Sequence, residues 1–322
     1  MRQPGSLTYR RHGLRALRAL VTLALTAWLV YRVDWAAVVP LLSNLRWAPI
    51  AGALASLLLS HLANLLRWHY LLDRREVGYG RLLRWYALGL FGTNILPTGI
   101  GGDAVRAALA GRVVPLGRAV LAVALDRAIG LIALSALIAL GVASGLPPGL
   151  AIGTRLWPAW AVVAMLLGLG ALTSAVLFAW KRQLLPRLGG LVAKRIDKGS
   201  LPDWRAGEWL RRLSGAYLIS VPAHLGIVAA NLAVLAALGV AAPWPAAVWL
   251  VILSSLSLLL PVSINGIGVV ESVYVLVLGS YGVGGAAGLS VALAVRLLGL
   301  AISLLGGLAL LERRPAGTKA WP

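Results

Sequence analysis

The chain has 322 residues, 60% of them hydrophobic and 12% charged, with mean hydropathy +0.85 and net charge +20. Apolar runs free of charge recur from end to end, which excludes a soluble catalytic domain and predicts an all-α polytopic membrane protein. Cysteine is absent and four histidines (His12, His61, His69, His224) are scattered, so thiolate chemistry is excluded and no metal or other cofactor is expected.

Residues 1–14 form a basic N-terminus, and Arg15 and Arg18 lead into a first apolar span ending at Tyr31. No small-residue cleavage site precedes Asp34, so this span is read as retained. The stretch 32–47 reads as a nearly neutral outer loop with Trp35 and Trp47 at the interface. A second span covers about Ala48 to Leu66, where His61, Asn64 and Arg67 share one face at helical spacing. The arginines of the next loop place it inside.

Trp85 to Leu96 supplies twelve uncharged residues, roughly 18 Å of helix against a hydrocarbon core of roughly 30 Å. Pro97 stops it, and Gly101-Gly102-Asp103 opens a new helix, which predicts a hairpin entering and leaving on one side. A full span follows over about Arg118 to Ala143, carrying Asp126 and Arg127, and another over Trp157 to Trp180. The basic loop 181–214 is the strongest cytoplasmic signal, and LPDWRAGEWLRRL within it suggests a short interfacial helix. Ala216 to Leu238 crosses again, with His224 and Asn231 as a polar stripe.

Val248 to Leu260 is once more too short to cross, breaks at Pro261, and resumes from Val269 to Gly279. A last span, about Ala286 to Leu311, carries Arg296, and residues 313–322 form a basic tail. Six spans and two hairpins place both termini in the cytoplasm and the chain in the inner membrane. Because the basic residues sit in short loops, they match the positive-inside pattern rather than a nucleic-acid surface.

Residues 15–312 form one membrane domain that divides into similar halves, 15–150 and 151–312, each reading span, span, broken hairpin, span. Three crossings per half invert the second half relative to the first, the plan of an inverted-repeat transporter. LPTGIGGD at 96–103 parallels LPVSINGIGVVE at 260–271, Asp103 precedes Arg127 by 24 residues, and Glu271 precedes Arg296 by 25. Both arginines begin a similar string, Arg127-Ala-Ile-Gly-Leu and Arg296-Leu-Leu-Gly-Leu.

Acids in apolar context need partners or a cavity, since each costs at least about 2.5–3.5 kcal/mol at the bilayer centre. Asp103 with Arg106, and Asp126 with Arg127, could neutralise one another as structural pairs; Glu271 and Arg296 are isolated in their own segments. Gly266, Gly268 and the following Glu271 superficially suggest a dinucleotide fingerprint, but no βαβ unit surrounds them. Glycine-led helix starts expose backbone N–H groups to an anion. With Arg106, Arg127 and Arg296 nearby they suit a phosphate headgroup, and Asn94, Ser263 and Asn265 add neutral hydrogen-bonding groups. The structural alternative is that these glycines allow close helix packing.

NILPTGIGGDAVR, Asp126-Arg127, LPVSINGIGVVES and Arg296 together resemble the transmembrane, flippase-like domain family of lysylphosphatidylglycerol synthetases, over roughly residues 15–312. The resemblance implies movement of a lipid between leaflets. The candidate headgroup-binding set read from the residues themselves is Asn94, Pro97, Gly101, Gly102, Asp103, Arg106, Asp126, Arg127, Pro261, Ser263, Asn265, Gly266, Gly268, Glu271 and Arg296. In two-domain members a cytoplasmic domain makes the aminoacylated lipid. These 322 residues carry no such domain, so aminoacyl transfer is not expected, and Asp103 stands where many relatives have Glu. The cargo expected is an anionic or modified phospholipid or a polyprenyl-phosphate lipid, with a separately encoded lipid-synthesis enzyme as a partner.

Two other classes stay open: a membrane-embedded lipid-modifying or glycosyl-carrier enzyme, and a non-transporting scaffold. Neither an intramembrane serine protease arrangement nor the multi-aspartate motif of a CDP-alcohol transferase is present in the sequence.

Overall fold

The computed structural model describes Tyr31 and residues 35–72, 77–95, 101–148, 204–259 and 263–308. The expected first span and the span over Trp157 to Trp180 lie outside these residues, as do Pro97 and Pro261. Among the described residues the regular structure is helical: α1 (Trp35–Ser43), α2 (Trp47–Leu72), α3 (Tyr79–Ile95), α4 (Gly101–Ala110), α5 (Leu116–Ala143), α6 (Ala206–Ala237), α7 (Trp244–Ser257), α8 (Val269–Ser280) and α9 (Gly285–Gly307). Helices α2, α5, α6 and α9 are long and apolar enough to cross a bilayer, with mean hydropathy between 1.6 and 2.1. The molecule is thus an all-α, multi-pass membrane protein.

Three expectations change. The stretch after Tyr31 is not wholly loop: its apolar residues form α1, and Val38 packs with Leu289 of α9. The first arm of the first hairpin starts earlier than the uncharged residues suggest, because Arg81 and Arg84 sit in its opening turns. Long arginine stems allow that, by laying methylenes on the helix while the charge reaches the interface. Among the described residues no separate interfacial helix stands; residues 206–213 are the start of α6, which runs on from Ala206. Glu208 accepts the Arg205 N–H at 3.3 Å, Gly215 packs on the Tyr70 ring, and Arg212 lies 4.3 Å from the Trp204 ring. The first and last of these are local to the helix start, and the Gly215–Tyr70 contact ties this end of α6 to α2.

The direction of each helix follows from a few hydrogen bonds. Arg46 N–H donates to Ala237 O at 3.0 Å, while at the opposite end Tyr70 donates to Arg211 O and Arg212 to Tyr70 O. Helices α2 and α6 are therefore antiparallel. Their crossing uses small residues, with Gly226 against Ser56 and Ser60. One end of the bundle carries Arg112, Arg118, Arg205, Arg211 and Arg212; the loops described at the far end carry Arg46.

The hairpin α3–α4 follows the C-terminus of α2 and feeds the N-terminus of α5, so it enters from the arginine-rich end and returns to it. Helix α5 then runs to the far end, where Trp249 Nε1 donates to Gly145 O at 2.9 Å. The hairpin α7–α8 starts at that far end and returns to it, and α9 runs back until Gly306 meets Ala87 of α3. The two hairpins are opposed, as an inverted repeat requires. The bundle holds two apolar cores, one around Trp68, Leu82 and Ala119 and one around Trp249, Leu250 and Leu278, which Ala53, Leu57 and Leu134 of the first half help to build.

Glycines make the first hairpin close. A Cβ on Gly102 would lie 2.1 Å from Thr93 Oγ and 2.2 Å from Gly89 O, whereas one on Gly299 would meet nothing. Gly102→Ala is expected to cost about 1–3 kcal/mol through this clash, seen as a lower melting temperature in detergent, while Gly299→Ala holds or slightly raises it. In the cysteine-free chain, Val113→Cys and Gly284→Cys sit at the turns after α4 and α8. An impermeant thiol reagent should label them from opposite sides of a sealed vesicle; labelling from one side would contradict the opposed hairpins.

Candidate functional site

Asp103 is the third residue of α4 and Glu271 the third of α8, so each acid sits in the first turn of a hairpin's second arm. Each takes an arginine from the next helix. Arg127 Nε donates to Asp103 Oδ2 at 2.6 Å, and Arg296 Nε donates to Glu271 Oε1. The two acid–arginine spacings seen in the sequence are therefore two equivalent contacts in space.

Asp126 and Arg127 do not neutralise each other. Neighbours on a helix are about 100° apart and do not face one another. Asp126 turns inward and accepts Arg67 Nε at 2.6 Å and Arg106 Nη1 at 3.1 Å, while Arg127 turns to Asp103. Asp103 does pair with Arg106, one turn on, so Arg106 bridges both aspartates. Its guanidinium lies 5.1 Å from the Trp68 ring and 5.6 Å from the Tyr86 ring. At the inner end Arg67 Nη1 donates to Ser220 Oγ at 2.8 Å, and Gly130 leaves room for the Arg67 head.

The result is a continuous line, Ser220–Arg67–Asp126–Arg106–Asp103–Arg127, joining α6, α2, α5 and α4. Three guanidinium groups against two carboxylates leave one positive charge over. Arg67, Arg106 and both aspartates are buried, whereas the Arg127 side chain is 56% exposed. It faces a cavity of about 180 Å³ whose walls include Asn64, Arg67, Thr93, Asp103 and Arg127.

The second site is smaller and neutral. Glu271 Oε2 accepts the Gly268 N–H at 2.7 Å, so this helix start is capped by the protein's own carboxylate. Gly266 and Gly268 have φ of 69° and 85°, and Asn265 between the arms has φ of 51°, conformations that favour these residue types. Where Arg106 stands three residues after Asp103, Tyr274 stands three after Glu271, and its hydroxyl donates to Asn231 Oδ1 at 2.7 Å. Ser263 is partly buried at the start of this turn, and the Asn94 side chain lies outside the described residues.

Arg67 and Asn231 occur in the sequence as polar stripes; the structure places Arg67 within the first network and Asn231 on Tyr274, one turn from Glu271. Trp68, Tyr86, Ser220 and Tyr274 carry no sequence signal of their own, because their roles arise from contacts 25 to 153 residues apart. Among the described residues no three His, Cys, Asp or Glu side chains converge as metal ligands.

Two opposed hairpins, each with a buried acid held by an arginine of the next helix, mark a helical, multi-pass membrane protein. The chain belongs to the family of the lysylphosphatidylglycerol synthase TM region, whose model matches residues 15–307. That membership relates it to lipid metabolism. No curated protein matches the chain.

Removing one partner of a buried pair strands the other charge, at about 3–5 kcal/mol. Asp126→Ala is therefore expected to destabilise the protein by about that much in detergent unfolding, and Arg127→Ala, at the exposed end, by about 1 kcal/mol or less. Equal losses would contradict the graded burial of the network.

Proposed function

We propose that the protein moves an anionic or modified phospholipid, or a polyprenyl-phosphate lipid, between membrane leaflets. The observation that carries this reading is the pair of opposed hairpins, each holding an acid–arginine couple within an apolar bundle. Irregular backbone inside a bilayer is stable where protein or a wet cavity surrounds it, and broken helices of this kind mark substrate paths in inverted-repeat transporters. The surplus positive charge at Arg127 suits a phosphate at the first site. At the second, Arg296 is the group available to it once Glu271 releases it.

In this reading Asp103 and Glu271 act as internal counter-anions that a lipid phosphate displaces in turn. The arginine-rich end faces the cytoplasm, which puts the α3–α4 hairpin on the side where lipids are synthesised and the α7–α8 hairpin on the outer side. A separately encoded lipid-synthesis enzyme would supply the cargo. Transport rather than catalysis is favoured because the buried carboxylates of both sites are held by arginines.

Protein reconstituted in liposomes should move a labelled anionic phospholipid between leaflets. Glu271→Gln and Arg296→Ala are each expected to slow it about tenfold, the effect of about 1.4 kcal/mol at the barrier. Rates equal to protein-free liposomes for every lipid tried would refute transport, and lipid turnover without movement would favour an embedded enzyme.

A further inference from the structure

Beside the polar cavity lies a second, larger void of about 820 Å³ between α2, α3 and α9. Its walls are mainly leucine and isoleucine, with Leu58 and Leu62 from α2 and Ile302 and Leu305 from α9, while Arg81 and Arg84 line it from the first turns of α3. Its size falls in the range of sites that enclose an organic ligand, roughly 300–1,000 Å³. The polar cavity, at about 180 Å³, falls below that range and holds a fragment such as one phosphate ester.

The two voids share three wall residues, His61, Tyr86 and Leu90. A hydrogen bond of 3.2 Å joins His61 Nδ1 to the Tyr86 hydroxyl, with the rings edge-on at 6.1 Å. Tyr86 also lies under the Arg106 guanidinium, so this pair touches the charged network on one face and the apolar groove on the other. The backbone around it is clamped: Ser303 Oγ donates to Leu90 O at 3.0 Å, and Gly306 packs directly on Ala87. Passage between the voids therefore depends on side-chain rotation. A single hydrogen bond between two rings is more easily exchanged than the adjoining guanidinium–carboxylate bonds.

We infer that His61 and Tyr86 form a latch between an acyl-chain groove and a phosphate cavity. The lipid's tails lie along Leu58, Leu62 and Leu305, and its phosphate passes the latch to meet Arg127. This rests on the lipid-transport reading for its cargo. The groove's occupant is assigned from its continuity with a cavity of net positive charge, which an apolar peptide segment would not satisfy.

The chain has no cysteine, so Thr93→Cys places a single thiol in the polar cavity. A phospholipid carrying a maleimide on its headgroup should label it slowly in phosphatidylcholine vesicles. Adding His61→Ala should speed labelling about fivefold or more. Tyr86→Phe, which keeps the ring and removes the hydroxyl, should give a smaller gain and decides the matter if the alanine variant loses its native elution profile. Equal rates with and without the latch would overturn the inference.

Phosphatidylglycerol in the vesicles should protect the thiol, and sn-glycerol 3-phosphate in solution should not. Protection by the soluble ester alone would mean that the cavity takes free phosphate esters and would overturn the lipid assignment. The transport reading is tested separately. Latch-dependent labelling without leaflet exchange would refute transport and leave the latch standing; exchange with latch-independent labelling would do the reverse.

Discussion

Arg67, Asp126, Arg106 and Asp103 share charge in a bundle interior that has little else to offer an ion, and the packing of the first half depends on that sharing. In an apolar medium a stranded charge costs far more than a pair, so each helix carrying one of these residues is confined to positions where its partner is in reach. Arg67 brings α2 to α5 and, through Ser220, to α6. Arg106 brings the re-entrant arm α4 to the same point. Gly89, Gly92, Gly102 and Gly130 are adjuncts of this arrangement, since a Cβ on any of them would crowd a neighbouring side chain or backbone atom. Lipid-facing leucines such as Leu59, Leu218 and Leu304 add solubility in the bilayer but no directional preference.

The two halves share a plan and differ in chemistry. Both place an acid in the first turn of the second hairpin arm and hold it with an arginine from the next helix. In the first half that couple is the end of a longer line with one charge in excess; in the second it stands with a capped helix start and a neutral Tyr274–Asn231 bond. Gly130 and Gly299 illustrate the divergence: the first accommodates Arg67, and the second has no neighbour within reach.

A void lined by leucines next to a void lined by arginines matches an amphiphile's two solubilities without a large rearrangement of helices. The clamp of α9 on α3 keeps the groove's back wall in place, and the charged network keeps the cavity's shape. In the proposed latch, motions of His61 and Tyr86 join them, so helix stability and the latch rest on different interactions.

The sequence alone determined the class, the approximate positions of most described helices and the two hairpins, since these follow from local quantities: length of apolar run, position of proline and glycine, and charge per loop. It also indicated the acid–arginine couples, because a repeated spacing of 24 and 25 residues survives in a linear reading. It misplaced the partners of Asp126, because adjacency in sequence is not adjacency around a helix. It undervalued Arg67, and it could not see Trp68, Tyr86, Ser220 or Tyr274, because a tryptophan, tyrosine or serine in an apolar run looks the same whether it faces lipid, protein or a cavity. The tertiary structure decided those points. Which face of each helix meets which neighbour is set by the simultaneous satisfaction of buried charges from α2, α4 and α5, and that condition has no expression along a single chain.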